Sequence, residues 1–231
     1  MEALLEEQQR YYDARANEYD EWWERRGRYD LGVDGNQGWR DEAERIRTIL
    51  TELALDGDML ELAGGTGIWT EFLAQRAARV TVLDGSLPML ERNKRRQLAA
   101  GLLGKVEFQN IDLFQWKPTS MYDAIFAGFW ISHVPVERLD THFGVIASAV
   151  KPGGLFLILE GQADRSRSEL QGTSRPGEDI EVRTLNDGSS HRIVKRELDP
   201  ADLAARLTRA GFQPRIEKSI RQFQLAIARK E

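Results

Sequence analysis

Short apolar runs alternate with segments of helical periodicity along most of this sequence, from about Ile46 onward. The helical segments repeat apolar residues about every 3.6 positions, most clearly at 39–53 and 136–150. This alternation indicates βαβ units, in which parallel strands form one sheet with helices on both of its faces. The predicted fold class is therefore doubly wound α/β. The apolar runs predict strands at 59–62, 80–83, 106–108, 122–127 and 155–159.

The C-terminal part of the chain has a different pattern. Residues 201–210 predict a helix that stops at Gly211, and strands are predicted at 212–219 and 222–228. The connection between these two strands is too short for a helical crossover, so they must be antiparallel. We therefore expect a mostly parallel seven-stranded sheet with an antiparallel C-terminal hairpin.

Two regions lie outside this repeating pattern. Residues 1–38 hold a helix-prone segment rich in Tyr and Trp, followed by a Gly-rich turn at 32–38. Residues 161–198 are polar at first and then offer two short strands around Asn-Asp-Gly at 186–188, a strong turn signal. We divide the chain into an N-terminal helical lid segment, 1–38, and a main domain, 39–231, with an inserted loop and hairpin at 161–198.

The composition excludes several classes of function. A formal net charge of −5 argues against nucleic acid as the main partner, because phosphate neutralisation needs clustered cations. The absence of cysteine removes disulfides and thiolate chemistry, and no cluster of acidic residues and histidines predicts a metal site. No apolar run is long enough to span a bilayer, and the acidic N-terminal residues do not resemble a signal peptide. The expected location is the cytoplasm.

The strongest motif is Glu-Leu-Ala-Gly-Gly-Thr-Gly at 61–67, directly after the first predicted strand. Glycines let the backbone turn sharply and let a ligand approach it closely, and this turn lies at the ligand-binding edge of a doubly wound sheet. A dinucleotide fits poorly, because its fingerprint requires a small residue where Thr70 stands. The alternative is a Gly-rich turn with a purely structural role.

Two aspartates follow the next two strands. Asp84 can accept hydrogen bonds from the hydroxyls of a ribose, or it can cap the helix that begins near 86–88. Asp112 can accept from the exocyclic amine of an adenine, or it can be a solvated loop residue. Each of these signals is weak on its own.

Together these motifs resemble those of the class I S-adenosylmethionine-dependent methyltransferases. The segment 61–67 is similar to the glycine-rich first motif, in the form of the ubiquinone/menaquinone branch, with Ala63 where a glycine often stands. The segments 82–86 and 150–154 are similar to the ribose-binding motif and to the turn before the fifth strand. The resemblance runs from about Arg40 to the C-terminus, except for the insert.

The resemblance implies S-adenosylmethionine as the cofactor. It places Glu61 at the methionine amine, Asp84 at the ribose and Met89 against the adenine, and it places Asp112 and Leu113 at the adenine edge. An alanine at 63 is expected to keep a negative φ, since it would otherwise be strained. The cofactor contacts expected from the resemblance are Tyr19, Glu61, Ala63, Gly64, Gly65, Gly67, Asp84, Gly85, Met89, Asp112, Leu113 and Phe129.

The residues expected around the methyl acceptor are mostly aromatic. Tyr12 and Tyr19 are seven positions apart, which predicts one helix face that either closes over the site or packs into the core. Trp23 and Trp130 are predicted to add aromatic walls. By the same resemblance His133, after the fourth strand, faces the transferred methyl group. It is the candidate general base, with a backbone-binding or substrate-orienting role as the alternatives.

The expected function is methyl transfer from S-adenosylmethionine to an O or N atom of a small aromatic metabolite. The alternatives are a quinone-ring C-methyltransferase, an NAD(P)-dependent oxidoreductase and a non-catalytic module that binds the cofactor. The expected partner is a small-molecule substrate, with neither nucleic acid nor membrane, and a homodimer is one option for the assembly.

Overall fold

The computed structural model describes residues 1–162, 173–174, 179–218 and 222–231. The helices are α1 (Glu2–Arg15), α2 (Tyr19–Glu24), α3 (Gly32–Thr51), α4 (Ile68–Ala74), α5 (Leu87–Ala99), α6 (Val136–Ala149) and α7 (Pro200–Arg209). The strands are β1 (Asp58–Leu62), β2 (Arg79–Asp84), β3 (Val106–Asn110), β4 (Tyr122–Gly128), β5 (Val150–Gly161), β6 (Thr173–Ser174), β7 (Ile180–Thr184), β8 (Ser190–Val194), β9 (Phe212–Lys218) and β10 (Phe223–Lys230).

The central sheet has seven strands in the order β3-β2-β1-β4-β5-β10-β9. Strands β1 to β5 are parallel to one another, whereas β10 runs antiparallel to both β5 and β9. The predicted fold class, with its antiparallel C-terminal hairpin, is confirmed. The last residue of the strand predicted at 212–219 lies outside the described residues.

Helices cover both faces of this sheet, and the alternation of side chains along β4 shows how. Ile125 packs on one face with residues of α6 and α7, and Phe126 packs on the other with residues of α3 and α4. Both side chains are fully buried. A strand buried on both faces appears in the sequence as a continuous apolar run, and this run is what predicted β4.

The Gly-rich segment 32–38 is not a turn, contrary to the prediction. It forms the first part of α3, in which only Gly32 has a positive φ, of 75°. Trp39, Ile46 and Leu50 are buried along one face of this helix. Tertiary packing of such a face outweighs the low helix propensity of glycine.

The aromatic N-terminal segment is two helices rather than one. Residues 16–18 form a turn between α1 and α2, so Tyr12 and Tyr19 do not share a helix face as predicted. The turn places α2 on the glycine-rich loop, where Asp20 accepts hydrogen bonds from Thr66 Oγ1 and from Arg96 Nη2. These two polar contacts hold α2 against the glycine-rich loop and α5.

A smaller sheet of three strands, β6-β7-β8, lies in the inserted segment. Strands β7 and β8 are antiparallel and are joined by the turn at 186–188, where Gly188 has a φ of 86°. No helix in the described ranges is both long enough and apolar enough to cross a membrane.

A buried glutamine helps to attach helix α1 to β8. Gln8 Oε1 accepts from Val194 N at 2.9 Å, and Gln8 Nε2 donates to the carbonyl of His133 at 3.3 Å. Glu7 adds an ion pair with Arg192 at 2.8 Å, which lies near the surface. One side chain thus joins the N-terminal helix, the inserted hairpin and the loop after β4.

Replacing Gln8 by alanine should lower the free energy of unfolding by about 2 kcal/mol, because two buried backbone groups lose their partner. Gln9→Ala is the matched control on the same helix, since Gln9 donates only to Asp13, one turn away. Its effect should stay within about 0.5 kcal/mol. Urea unfolding followed by circular dichroism measures both, and equal losses would contradict the role given to Gln8.

Candidate active site

A cavity of about 510 Å³ opens at the carboxyl ends of β1, β2 and β4, with α1 on one side. The sheet reverses its strand order between β1 and β4, and ligands of doubly wound proteins bind at that point. A second, smaller pocket adjoins it at the glycine-rich turn. The predicted site residues that line the large cavity are Tyr12, Tyr19, Ala63, Gly65, Asp84, Gly85, Met89, Asp112, Leu113, Phe129, Trp130 and His133. Those that line only the smaller pocket are Trp23, Glu61, Gly64 and Gly67.

The glycine-rich turn contains a non-glycine residue in a left-handed conformation. Ala63 has a φ of 53°, so the expectation of a negative φ there is wrong. Its neighbours Gly65 and Gly67 also have positive φ, of 54° and 90°, as a sharp strand-to-helix turn requires. Gly64 is constrained differently, because a Cβ there would lie 2.3 Å from Val82 Cγ1. The turn therefore stores strain at Ala63.

Asp84 holds this turn against the end of β2. Its Oδ2 accepts from Gly65 N at 2.8 Å, and its Oδ1 accepts from Ser86 N at 2.7 Å. The cap of α5 is the side chain of Ser86, which accepts from Met89 N, so the structure does not need Asp84 as the helix cap. Burial raises the pKa of the Asp84 carboxyl to about 6. A carboxylate with a raised pKa in a ligand cavity is typical of a binding site.

Glu61 lies below the turn, at the smaller pocket. It is buried, and Thr70 Oγ1 donates to its carboxyl at 2.5 Å. Burial raises the pKa of Glu61 to about 8, although the hydrogen bond from Thr70 opposes this shift. Thr70 also accepts from the buried Asn93, which in turn donates to the carbonyl of Gly64. Thr70 thus positions the carboxyl of Glu61. The sequence analysis used this residue only as an argument against a dinucleotide-binding motif.

The side chains that are expected to contact an adenine ring lie together at one wall of the cavity. Met89 and Leu113 are buried, whereas Asp112 is exposed and accepts from Phe114 N at 2.9 Å. One Asp112 oxygen thus has a backbone partner. The arrangement brings an apolar surface and a carboxylate to the same end of the cavity.

His133 lies at the opposite end, in a short 3-10 turn after β4. Its Nδ1 is 2.6 Å from the carbonyl oxygen of Val194, and its Nε2 is 2.9 Å from the Tyr12 hydroxyl. A carbonyl can only accept, so the proton is on Nδ1 and Nε2 carries a lone pair. Burial, and secondly the charge of Lys195, hold the pKa of His133 well below its usual value. The imidazole is therefore neutral, and its lone pair faces the cavity wall.

The sequence motifs did not predict the buried polar cluster of Glu160, Ser132 and Lys195 that lies next to His133. Glu160, at the end of β5, accepts from Ser132 N and from Ser132 Oγ, and Lys195 Nζ donates to Ser132 Oγ at 2.7 Å. Lys195 Nζ also lies 3.9 Å from the Glu160 carboxylate. The one sequence signal was an acidic residue directly after the apolar run 155–159. This group fixes the loop that carries His133.

The two tryptophans predicted at the acceptor have different positions. Trp130 lines the large cavity and donates through Nε1 to His142 at 3.2 Å. Trp23 does not reach that cavity and packs instead against Trp39 and Trp69. The aromatic pattern alone could not separate a cavity wall from a core cluster. Phe129, beside Trp130, has a φ of 58° and is a second strained residue at the site.

Comparison with known proteins places the chain among methyltransferases. A family model described as a methyltransferase domain matches residues 59–154. A solved structure described as a DhpI-SAM-HEP complex is 38% identical to this chain, with a TM-score of 0.78, over 98% of this chain and 97% of that chain. A DhpI-SAH complex is 35% identical, with a TM-score of 0.77, over 100% and 98% of the two chains.

A third solved structure is a S-adenosylmethionine-dependent methyltransferase from Clostridium acetobutylicum ATCC 824. It is 15% identical, with a TM-score of 0.65, over 93% of this chain and 98% of that chain, which shows a shared fold. No curated protein matches the chain.

Ala63→Gly should raise the free energy of unfolding by about 1 kcal/mol, because glycine adopts the positive φ without steric cost. Ala99→Gly, in the last turn of α5, is the matched control and should lower the same quantity by about as much. Urea unfolding of both variants gives the comparison. A loss of stability in Ala63→Gly would show that the left-handed alanine is not strained.

The two buried carboxyls predict how the binding of S-adenosylhomocysteine depends on pH. If the ligand binds their ionised forms, each must lose its proton on binding. The affinity should rise about tenfold per pH unit between pH 6 and 8 because Glu61 titrates near 8, and more steeply below pH 6 because Asp84 titrates near 6.

Isothermal titration calorimetry across pH 5–8 tests this with two variants. Asp84→Asn should weaken binding about tenfold or more and remove the steeper part of the profile. Glu61→Gln should remove the dependence between pH 6 and 8. A profile that stays unchanged in either variant would exclude that residue from the ligand site.

Proposed function

Because the chain belongs to the class I S-adenosylmethionine-dependent methyltransferases, we propose that it methylates an O or N atom of a small aromatic metabolite. The observation that carries this proposal is one continuous cavity. It joins Asp84 and the glycine-rich turn to His133 and Tyr12. A cofactor at the first end and an acceptor at the second end would share that space.

The residues at the first end fit S-adenosylmethionine. The buried Asp84 carboxyl suits the ribose hydroxyls, Met89 and Leu113 suit the faces of the adenine, and Asp112 suits its exocyclic amine. Glu61 lies behind the glycine-rich turn, where it suits the methionine amine. When bound, this cofactor supplies an electrophilic methyl group on a positively charged sulfur.

The protein's own part is to align the two reactants and to exclude water. Tyr19 and Phe129 line both the large cavity and the smaller pocket, so they flank the passage between the two. Aromatic faces stabilise a nearby positive charge, which suits a sulfonium. Helices α1 and α2 cover this region and act as its lid.

We assign the proton transfer to His133. The carbonyl of Val194 fixes the tautomer, so that Nε2 presents its lone pair toward Tyr12 and the cavity. An acceptor hydroxyl or ammonium can reach this lone pair by displacing the Tyr12 hydroxyl. Alternatively, the acceptor gives its proton to the Tyr12 oxygen while the Tyr12 hydroxyl gives its own proton to Nε2. The lowered pKa keeps the base form available at neutral pH.

A nicotinamide-dependent oxidoreductase has less support. Thr70 is fully buried and bonded to Glu61, so the helix after the turn does not offer the close approach that a dinucleotide pyrophosphate needs. Titration with S-adenosylhomocysteine and with NADH separates the two functions. An assay of methyl transfer to a panel of phenols, amines and quinones distinguishes an enzyme from a module that only binds the cofactor. The same assay distinguishes methylation of carbon from methylation of oxygen or nitrogen.

His133→Gln should lower kcat at least about 100-fold and leave the affinity for S-adenosylhomocysteine within about twofold. The matched control is His191→Gln, whose ring lies in the inserted hairpin and bonds to Ser189, and its kcat should stay near normal. An acidic phenol at high pH should restore much of the loss, because its nucleophile is already ionised. Near-normal kcat in His133→Gln would leave the histidine with a structural role.

A further inference from the structure

Helix α1 brings a polar side chain to the part of the cavity that contains Asp84. Gln9, in the middle of this helix, lines the same cavity as Asp84 and Gly85. Its amide lies against Gly85, because a Cβ added to Gly85 would be 2.5 Å from Gln9 Oε1 and 3.3 Å from Gln9 Cδ. Gly85 directly follows Asp84 in the chain. The Gln9 amide is therefore close to the carboxyl that suits a ribose.

The contact with Gln9 gives a reason for the glycine at position 85. The φ of Gly85 is not positive, so its backbone conformation does not require glycine. The three nearest atoms that a Cβ would meet there all belong to the amide of Gln9. Any side chain at 85 would push this amide away from its place. The turn after β2 and helix α1 are thus matched in shape.

The orientation of the Gln9 amide follows from its partner on the same helix. Its Nε2 donates to Asp13 Oδ1 at 3.1 Å, one turn further along α1. A carboxylate accepts only, so the nitrogen faces Asp13 and Oε1 faces Gly85. An amide nitrogen has two N–H donors, and the bond to Asp13 uses one of them. The amide can therefore offer an acceptor and a donor to a hydroxyl group.

Contacts within the protein hold α1 in this position. Gln8 bonds to the backbone of Val194 and of His133. In the turn after α1, Asn17 Oδ1 accepts from Arg92 Nη2 of α5 at 2.6 Å. The helix is thus fastened to the inserted hairpin, to the loop after β4 and to α5. A side chain on such a helix loses little entropy when it binds a ligand.

We propose that Gln9 binds the cofactor, and that its amide forms a hydrogen bond with a ribose hydroxyl of S-adenosylmethionine beside Asp84. This inference rests on the proposed placement of the cofactor, with the ribose at Asp84. The two Asp84 oxygens already accept from Gly65 N and Ser86 N, and each keeps a lone pair for a hydroxyl proton. A carboxylate cannot donate to the hydroxyl oxygens, whereas the second N–H of Gln9 can.

The substitution Gln9→Met tests this role, because methionine keeps the length of the side chain and removes its hydrogen bonds. Isothermal titration calorimetry should show that the variant binds S-adenosylhomocysteine about five- to tenfold more weakly than wild type does. The affinity for 5′-methylthioadenosine should fall by the same factor, because this ligand keeps the nucleoside and lacks the amino-acid part. Wild-type affinity of Gln9→Met for both ligands would overturn the proposal.

A pair of nucleosides tests whether the amide contacts the ribose. Adenosine has both ribose hydroxyls, and 2′,3′-dideoxyadenosine has neither, so their affinities are compared in wild type and in Gln9→Met by NMR titration. The substitution should weaken adenosine about five- to tenfold and leave the dideoxy ligand unchanged. Equal weakening of both nucleosides would place the amide at the adenine and would overturn the proposal.

The control variant is Glu7→Ala, on the same helix. Glu7 pairs with Arg192 near the surface and does not line the large cavity, so its loss tests the attachment of α1 alone. This variant should bind S-adenosylhomocysteine within about twofold of wild type. Weakening equal to that of Gln9→Met would show that the attachment of α1 matters and not the amide. Failure of the wild type to bind S-adenosylhomocysteine would instead refute the proposed function.

Discussion

The hydrogen bond from Gly65 N to the Asp84 carboxylate fixes the geometry on which the rest of the site depends. It joins the turn after β1 to the end of β2, and the left-handed Ala63 lies in the same turn. From that turn, Thr70 and Asn93 hold the Glu61 carboxyl below the backbone of Gly64. Two buried carboxyls are thus fixed by neighbouring polar groups before any ligand arrives. Such preorganisation reduces the entropy that binding must overcome.

The end of the cavity at His133 is built in a different way, from parts that are far apart in sequence. The imidazole of His133 follows β4, its Nδ1 partner belongs to β8, and its Nε2 partner belongs to α1. Gln8 forms hydrogen bonds with the backbone of His133 and with the backbone of Val194 in β8. The end of the cavity at Asp84 therefore belongs to the parallel sheet, whereas the end at His133 depends on the N-terminal helices and the inserted hairpin.

Sequence reasoning located the central strands β1, β2, β4 and β5 because each contains a continuous apolar run that is buried on both faces of the sheet. It also placed Asp84, Asp112 and His133 after strand ends, and the structure brings all three to one cavity. It failed where tertiary packing decides the outcome, as in the helical segment 32–38 and in the packing of Trp23. Contacts such as those of Gln8 join residues distant in the chain, so no local pattern could have indicated them.

The Gln8 contact also has a consequence for the order in which the molecule assembles. Gln8 belongs to α1, yet its partner Val194 follows 186 positions later. Contacts of such long sequence separation form late, because the closure of a long loop must precede them. The part of the site made of β1, β2 and the turn between β1 and α4 can form on the ribosome before α1 has packed against β8. The end of the cavity at His133 can thus be completed only after Val194 has been made.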